Sequence, residues 1–526
     1  MTRVLVTDSL QEVGVEALRA EGLRVDVVPT LPPVELAQRI GPYAGLVVRS
    51  ATKVSAEVID AAHALKVIGR AGVGLDNVDV EAASRRGIVC MNTPGGNTIA
   101  ATEHTWALLL ALARKLPQAH AHLRGGKWER ERFLGTELYG KTLGVLGLGR
   151  IGAEVARRAQ AFAMTVVAYD PYLASEVAQR LGVALVDLET LCRRADFVTV
   201  HLPLTKETRG LIGAPQLRLM KDGARLVNCA RGGIVDETAL AAAIQAGKVA
   251  GAALDVFERE PPWGSPVLDL ESVVVTPHLG ASTEEAQTAV AVAIAQQVAD
   301  LLLRGVVRHA ANAPSVDPET LRELAPYLTL MGKLGAFLGQ VASGRMTEIR
   351  LTYAGEVAGL ATEPLTVTFL RGLLAAILEE TVTDVNAPYL ARQRGLRVVE
   401  SKTPVWDAYA SLVGAELRTD AGTFQVAGTL FHRREPRIVQ VDGFGMEARP
   451  EGWLLVATND DVPGVVGRIG TLFGANGINI AGMQLGREVP GGRAVSILSL
   501  DGPVPDAVLR EIRALPHIRS AALVRL

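Results

Sequence analysis

Short apolar runs alternate with amphipathic segments over the N-terminal part of the chain. The runs lie at residues 3–7, 23–28, 45–48 and 66–68, and the segments between them, at 11–20, 34–40 and 54–62, have helical spacing. Runs rich in Val, Leu and Ile that are bounded by polar turns predict buried strands. Strands that alternate with helices in this way predict a parallel sheet with helices on both faces.

A second series of the same kind starts at residue 141. It predicts strands at 142–146, 165–169, 197–201, 225–229, 250–256 and 272–275, and helices at 151–162 and 284–303. Between the two series, residues 97–114 have the strongly apolar pattern of a long helix. Residues 124–138 are rich in charge and predict an exposed loop. The pattern therefore predicts two α/β lobes.

The chain beyond residue 310 follows other patterns. Pro314 and Pro318 indicate a linker at 310–317. Helical patterns and then short strand-like runs fill residues 318–450, which predicts an α+β unit. Residues 451–526 predict the order βαββαβ, which is ferredoxin-like.

Composition narrows the class of protein. The formal net charge is −2, whereas nucleic-acid binding as a main function needs a concentrated positive field. No apolar stretch reaches the roughly 18 residues of a membrane span, and the N-terminal apolar run is too short for a signal peptide. The scattered Cys90, Cys192 and Cys229 lack the spacing of a metal site or a disulfide framework. We expect a soluble, cytoplasmic protein with no metal, no membrane contact and no nucleic-acid partner.

The strongest local motif is a glycine-rich turn between a predicted strand and a predicted helix. Gly147, Gly149 and Gly152 form a GxGxxG pattern, in which Arg150 and Ile151 open the helix. Such a turn lets the backbone approach a pyrophosphate at the positive end of the helix. Asp170 ends the next strand, where an acid accepts hydrogen bonds from the adenosine ribose and repels the extra phosphate of NADP. The motif therefore predicts NAD as cofactor. The alternative is that the glycines form an ordinary strand–helix turn and that Asp170 is a surface acid without a ligand.

Three polar residues follow three strands of the second series. His278 suits a general acid/base near neutral pH, Glu260 would stabilise its charged form, and Arg231 would bind a carboxylate. The carboxyl ends of the strands are where α/β sheets build their sites. The pattern alone leaves each of the three at even odds between a catalytic and a structural role.

The segments around Gly147, Arg231, Glu260 and His278 resemble the D-isomer-specific 2-hydroxyacid dehydrogenases, in order and in context. The resemblance implies that Arg231 binds and polarises the substrate, that Glu260 supports His278, and that His278 moves the proton. It adds Ala230 and Asp255 to the cofactor-binding set. It also implies two Rossmann-like or flavodoxin-like lobes: a substrate-binding domain at 1–95 plus 283–313 and an NAD-binding domain at 96–282. An intervening domain at 318–450 and a regulatory ACT domain at 451–526 would follow.

Several further stretches resemble the branch of that family that oxidises D-3-phosphoglycerate to 3-phosphohydroxypyruvate with NAD, the first step of L-serine biosynthesis. They imply a substrate-binding set of Arg49, Ser50, Val73, Gly74 and Asn97. A cationic side chain and bare backbone N–H groups suit a substrate with a phosphate and a carboxylate. The alternatives are another D-2-hydroxyacid dehydrogenase, such as a glyoxylate, hydroxypyruvate or 2-oxoglutarate reductase, and a non-enzymatic NADH-sensing regulator.

The resemblance to an ACT domain implies an allosteric effector. Asn459, Asp461 and Asn479 are the residues expected to bind it, and L-serine is the expected ligand. A purely structural role of this domain in dimerisation is the alternative. The resemblance further implies a homotetramer, or at least a homodimer.

Overall fold

Four β-sheets organise the computed structural model, which describes residues 2–404 and 409–526. The first sheet is parallel, in the flavodoxin-like order β2-β1-β3-β4-β5. Its strands are β1 (Arg3–Val6), β2 (Arg24–Val27), β3 (Gly45–Val48), β4 (Val67–Arg70) and β5 (Val89–Met91), and its helices are α1 (Glu12–Ala20), α2 (Pro33–Ile40), α3 (Ala56–Ala61) and α4 (Val80–Arg85). Apolar side chains fill both faces of this sheet, which explains why an inner strand such as β3 is apolar throughout, whereas the edge strand β2 is not.

The second sheet has seven parallel strands in the order β12-β11-β10-β9-β6-β7-β8. These are β6 (Thr142–Leu146), β7 (Thr165–Tyr169), β8 (Ala184–Leu185), β9 (Phe197–Val200), β10 (Ala224–Asn228), β11 (Val249–Leu254) and β12 (Val273–Val275). The strand order reverses between β6 and β9, the switch point at which Rossmann folds bind dinucleotides. The helices are α5 (Thr98–Arg114), α6 (Leu116–Arg124), α7 (Arg150–Ala161), α8 (Ser175–Arg180), α9 (Leu188–Arg194), α10 (Ala214–Leu219) and α11 (Glu237–Gln245).

The segment predicted as a loop at 124–138 is exposed but not wholly irregular. Helix α6 ends at Arg124, and a 3-10 turn spans Arg130–Phe133. The sequence did not predict this turn, because 3-10 turns are too short to show a periodic pattern.

Helix α12 (Glu284–Ala299) returns the chain to the first lobe and continues as a π-helical turn at Asp300–Arg304. Among the described residues, 284–304 is the one helix whose length and composition would allow it to cross a membrane. Here it packs instead against α1, where Gly14 lies so close to Ala291 that a Cβ on Gly14 would be 2.8 Å from the Ala291 carbonyl oxygen. Val290, Ile294 and Val298 complete the core of the first lobe.

The third unit packs helices against a mixed sheet of order β14-β13-β15-β16-β17-β18. Within the described residues, β13 and β14 are its one parallel pair. Its elements are α13 (Pro318–Val341), β13 (Met346–Gly355), a 3-10 turn at Glu356–Gly359, α14 (Glu363–Ala375), α15 (Ala387–Gln393), β14 (Arg397–Thr403), β15 (Ser411–Thr419), β16 (Gly422–Phe431), β17 (Glu435–Val441) and β18 (Phe444–Ala448). Helices α13 and α14 approach closely because glycines replace side chains at their crossing, at Gly335 and Gly372.

The fourth unit is ferredoxin-like. It runs β19 (Trp453–Asp460), α16 (Val465–Ala475), β20 (Ile480–Arg487), β21 (Arg493–Leu500), α17 (Asp506–Ala514) and β22 (Ile518–Arg525), with the antiparallel order β20-β21-β19-β22. The predicted βαββαβ order is confirmed.

The third and fourth units share one hydrophobic core. On β19 and β21, alternate residues such as Leu454, Val456 and Ile497 belong to the same buried cluster as Leu334 and Phe337 of α13. The residues between them, among them Leu455 and Leu498, face helices α16 and α17. Both faces of this small sheet are therefore covered, as the period of two requires when both sets are apolar.

One segment of the third unit also reaches the first lobe. Val385 is 7% exposed and belongs to the core of the first lobe. Thr383 covers Gly87, where a Cβ would lie 2.7 Å from the threonine hydroxyl oxygen.

Candidate active site

A cleft of about 540 Å³ separates the first and second lobes. It opens at the carboxyl ends of the strands in both sheets, beside the two places where the chain crosses between the lobes. Residues of the first crossover, such as Asn97, and of the second, such as Gly280, lie on its wall. Side chains from distant parts of the sequence therefore meet here.

The glycine-rich turn forms one wall of the cleft. Gly147 has φ +88°, and a Cβ there would lie 2.7 Å from the His201 carbonyl oxygen; Gly152 packs as closely on the Gly147 carbonyl. Gly149, Arg150 and Ile151 line the cleft, and Gly149 faces open space. The N-terminus of α7 thus points backbone N–H groups at a cradle that a side chain would fill, which fits a dinucleotide pyrophosphate.

Asp170 lies just past β7 and braces that turn. Its carboxylate accepts hydrogen bonds from the backbone N–H of Leu148 at 3.0 Å and of Tyr172 at 3.1 Å. The predicted contact of Asp170 with the ribose stays a prediction.

The predicted acid/base pair is in contact. Nδ1 of His278 lies 2.8 Å from Oε2 of Glu260, and His278 lines the cleft. Partial burial acts to raise the pKa of Glu260, but the hydrogen bond and charge of His278 outweigh it and hold that pKa below its ordinary value. Because Nδ1 faces Glu260, the other ring nitrogen is left for a substrate proton.

The backbone around His278 is strained and firmly held. His278 has φ +57°, in the left-handed region that non-glycine residues rarely adopt. Its N–H donates to the Asp255 carbonyl at 2.9 Å, while the Asp255 carboxylate accepts from the N–H of Leu279 at 2.7 Å and of Gly280 at 2.8 Å. Asp255 is therefore the anchor of this loop. It was predicted to bind cofactor, but it is buried and is not among the residues that line the cleft.

Three guanidinium groups lie close together in the cleft. Arg49, Arg70 and Arg231 all line it. Burial lowers the pKa of Arg70 to about 10, and the neighbouring charge of Arg231 adds to the effect, whereas Asp76 opposes it. Each of the three is partly buried, and like charges held close together away from water cost free energy unless an anion compensates them. The cluster therefore fits a polyanionic substrate.

Arg231 is positioned by its neighbours. Its Nε donates to Asp76 at 2.9 Å, and its Nη1 donates to the Ala230 carbonyl at 2.7 Å. Gly74 lies so close to its guanidinium that a Cβ there would clash. A glycine is thus required at position 74 by sterics.

The remaining predicted substrate residues lie on the same cleft. Ser50, Val73 and Asn97 line it together with Ala230. The Asn97 side-chain oxygen is buried and has no hydrogen-bond partner within the described part of the chain. An unpaired buried acceptor at a cleft wall is a suitable partner for a ligand donor.

Sequence reasoning missed two residues of this region. Arg70 ends β4, so the strand-end rule that pointed to Arg231 applies to it as well. The prediction for its segment used the backbone N–H groups and not this side chain. His104, in the middle of the apolar helix α5, contacts Asp255 at 3.1 Å and carries no motif that could have revealed it.

Comparison with known proteins identifies the family of the chain. The chain matches the family model of the D-isomer specific 2-hydroxyacid dehydrogenase NAD binding domain at residues 106–280, that of the D-3-phosphoglycerate dehydrogenase intervening domain at 323–442, and that of the ACT domain at 453–517. It is 46% identical over 527 residues to D-3-phosphoglycerate dehydrogenase of Methanocaldococcus jannaschii, covering 100% of both chains. The chain belongs to the D-3-phosphoglycerate dehydrogenase family.

The chain is also similar to a second relative and to a solved structure. The chain is 45% identical over 527 residues to the D-3-phosphoglycerate dehydrogenase of a Synechocystis strain, with 100% of this chain and 95% of that one covered. The crystal structure of the TT0316 protein from Thermus thermophilus covers 59% of this chain and 100% of its own, at 40% identity and a TM-score of 0.55. The predicted family, α/β fold and NAD cofactor are confirmed, and the chain is an NAD-dependent oxidoreductase.

The expected effector residues of the ACT domain do not meet within one chain. Asn459 is 2% exposed and pairs with Ala494 of β21, whereas Asn479 precedes Ile480, which pairs with Leu500 at the other end of β21. Six residues of strand separate these ends by about 20 Å. Asp461, beside Asn459, accepts from Arg487 at 2.9 Å, and Asn479 donates to Asp501 at 2.7 Å.

Proposed function

We propose that the chain oxidises D-3-phosphoglycerate to 3-phosphohydroxypyruvate with NAD, the first step of L-serine biosynthesis. The observation that carries this proposal is that Arg49, Arg70 and Arg231 line the same cleft as His278, which is paired with Glu260. A substrate with a carboxylate at one end and a phosphate at the other would compensate these charges. The names of the full-length relatives support the same reaction.

The catalytic roles follow from the geometry. We assign to Arg231 the binding of the substrate carboxylate and the polarisation of the C2 oxygen. His278 accepts the hydroxyl proton at Nε2, and Glu260 at Nδ1 stabilises the imidazolium that results. NAD, when bound, supplies the acceptor for the hydride that leaves C2.

The cofactor would lie along the glycine-rich wall. We assign Gly147, Gly149, Arg150, Ile151 and Gly152 to the pyrophosphate. Asp170 would accept from the ribose, and Ala230, which lines the cleft, completes the contacts that we propose to the cofactor. Asp255 is buried, so we propose that it supports cofactor binding from behind the cleft wall, through the loop that it anchors. On the substrate side, Arg49, Ser50, Val73, Gly74 and Asn97 are proposed together with Arg70.

The test is NADH formation from NAD and D-3-phosphoglycerate at alkaline pH, with the product trapped, with and without L-serine. Turnover is the expected result, because the base must be neutral to accept a proton. Absence of turnover together with reduction of glyoxylate, hydroxypyruvate or 2-oxoglutarate would contradict the substrate and favour another D-2-hydroxyacid dehydrogenase. Binding of NADH without turnover on any of these would favour a sensor.

We further propose that the ACT domain binds L-serine between two copies of the chain. Asn459 and Asp461 lie at one end of β21 and Asn479 at the other, so a ligand held by all three needs a second domain facing the first. Suppression of turnover by serine, lost in Asn479→Ala, is expected. If serine changes neither turnover nor its own binding isotherm, the domain has a structural role in dimerisation.

A homotetramer, or at least a homodimer, is proposed for the assembly. Large apolar side chains near α6 support it: Trp128 is 77% exposed, Leu134 83% and Tyr139 77%. Such exposed apolar groups in one region usually mark an interface. Light scattering of the full chain would show a single protomer mass if this proposal is wrong.

We place the four domains at 1–95 plus 283–313, 96–282, 318–450 and 451–526, and the protein in the cytoplasm. Separate sheets support the division. Cys90, Cys192 and Cys229 are free thiols, which suits a reducing compartment. Limited proteolysis tests the boundaries and cell fractionation tests the location.

A further inference from the structure

His104 lies in α5, three residues after Ala101, which lines the cleft. Its side chain is 19% exposed, and its Nε2 is 3.1 Å from Oδ1 of Asp255 and 3.1 Å from Oγ1 of Thr276. The Asp255 side chain is 1% exposed. A histidine that turns inward from a helix to a buried carboxylate beneath an active site is in a position to hold that site.

The distances fix which atom carries the proton. The Thr276 hydroxyl is 2.6 Å from Oδ1 of Asp255 and has one hydrogen, which it donates there. It therefore has none to donate to His104, and the carboxylate has none at all. Nε2 of His104 must carry a hydrogen and donate it to these two oxygens.

Asp255 connects His104 to the loop that carries His278. Its carboxylate binds the N–H groups of Leu279 and Gly280, and its carbonyl binds the N–H of His278. After Gly280 the chain continues into α12 and returns to the first lobe. His104 is the one side-chain donor that reaches Asp255 from outside this loop within the described residues, and it comes from the helix that starts at the first crossover.

We propose that His104 is a positioning residue, which locks the strained His278 loop to helix α5 through Asp255. The two crossovers between the lobes are thereby fixed to one buried carboxylate. The inference rests on the proposed roles of His278 and Glu260. Without the donor of His104, the loop keeps its backbone bonds but loses its hydrogen bond to the helix, and His278 samples unproductive positions.

The test compares His104→Leu, which has no donor, with His104→Gln, whose amide nitrogen reaches about as far as Nε2. His63→Leu, an exposed histidine after α3, is the matched control. For each protein we would measure kcat, KM, the NADH dissociation constant and the isotope effect on kcat with substrate deuterated at C2. His104→Asn, whose amide is too short, gives a polar variant should His104→Leu not fold.

For His104→Leu we expect kcat to fall about tenfold, since misplacement of a catalytic group by about 1 Å costs up to ~100-fold. KM and NADH binding should stay within about twofold, because the loss is confined to the transition state. The isotope effect should increase as hydride transfer becomes slower, and His104→Gln should restore about half of kcat or more. The same pattern is expected of His104→Asn as of His104→Leu.

Two results would overturn the inference: kcat within about twofold of the wild-type value, or a lower kcat with an unchanged isotope effect and a parallel loss of NADH-binding sites. The second result means fewer folded molecules, not a misplaced base. If the wild type does not oxidise D-3-phosphoglycerate, the proposed function fails by itself. The His104 variants are then measured with the 2-hydroxy acid that the enzyme does oxidise.

Discussion

The catalytic half and the C-terminal half of the chain bury their apolar side chains in different ways. The two catalytic lobes have separate cores on both faces of their own sheets, and within the described residues no buried cluster spans both lobes. The intervening and ACT units share a single core, in which Phe337 of α13 and Ile497 of β21 take part. Two lobes joined by crossovers leave a polar cleft between them, whereas a shared core leaves none.

These two arrangements allow different motions. Lobes with separate cores can open and close around a ligand at little cost in buried area. Two units that share a core move as one body, because separating them would expose apolar surface at about 25 cal/mol per Å². The segment at Thr383 and Val385 connects this body to the first lobe, which it touches.

The largest effect is expected in the cleft, from His278→Ala. General acid–base catalysis contributes about 10²–10⁴-fold, so kcat should fall by roughly that factor. NADH binding, measured by fluorescence titration, should be unchanged because the glycine-rich wall is intact. A variant that keeps more than about a tenth of wild-type kcat would remove His278 from the proton transfer.

The shared core of the C-terminal half is tested by Phe337→Ala. Phe337 is fully buried at 0% exposure, and such a truncation costs about 3–5 kcal/mol. The intervening and ACT units should become sensitive to protease together, as followed by mass spectrometry.

Phe197→Ala is the matched control, because Phe197 is also 0% exposed but belongs to the second lobe. It should weaken NADH binding and leave the C-terminal half resistant to protease. Cleavage of the ACT unit alone in Phe337→Ala would contradict a common core.

A smaller effect is expected when one cation of the cleft is removed. Arg49→Met should raise KM for D-3-phosphoglycerate about 10–100-fold, since a hydrogen bond to a charged group contributes about 1.5–3 kcal/mol. KM for D-glycerate, which lacks the phosphate, should change much less. Arg24→Met, on the exposed β2, is the control. Equal losses for both substrates would mean that Arg49 does not bind the phosphate.

The smallest effect concerns pH and Glu260. Its pKa is lowered in the folded chain, so its interaction with His278 stabilises the fold above the ordinary value of 4.5 and is lost as pH falls through the lowered pKa. The melting temperature of the wild type should therefore be higher than that of Glu260→Gln near neutral pH, and the difference should shrink as the pH falls from 4.5 through the lowered pKa. A gap that widens on acidification would contradict the assigned sign.

The catalytic half could be predicted further than the C-terminal half, for a physical reason. The strand-end rule placed Arg231, Glu260 and His278 on one edge because parallel strands carry their carboxyl ends together. The family resemblance then separated them from structural residues. Asn459 and Asn479 obey no such rule, because antiparallel strands carry neighbouring ends in opposite directions, and the structure separates them.

Contacts between distant elements could not be predicted from the sequence. Nothing in the periodicity of α5 distinguishes His104 from a satisfied core histidine. The common core of the third and fourth units could not be predicted either. Strands β19 and β21 are apolar on both faces, and the sequence does not show which elements cover each face.

A single turnover with the two enantiomers of 3-phosphoglycerate tests the proposed reaction at its first chemical step. The enzyme loaded with NAD is mixed rapidly with excess D-3-phosphoglycerate or its L enantiomer, and enzyme-bound NADH is followed by fluorescence. We predict one NADH per chain from the D form, none from the L form, and formation from the D form slowed by about 10²–10⁴-fold in His278→Ala. Equal bursts from both forms, or no burst from the D form with a burst from an unphosphorylated 2-hydroxy acid, would contradict the proposed reaction.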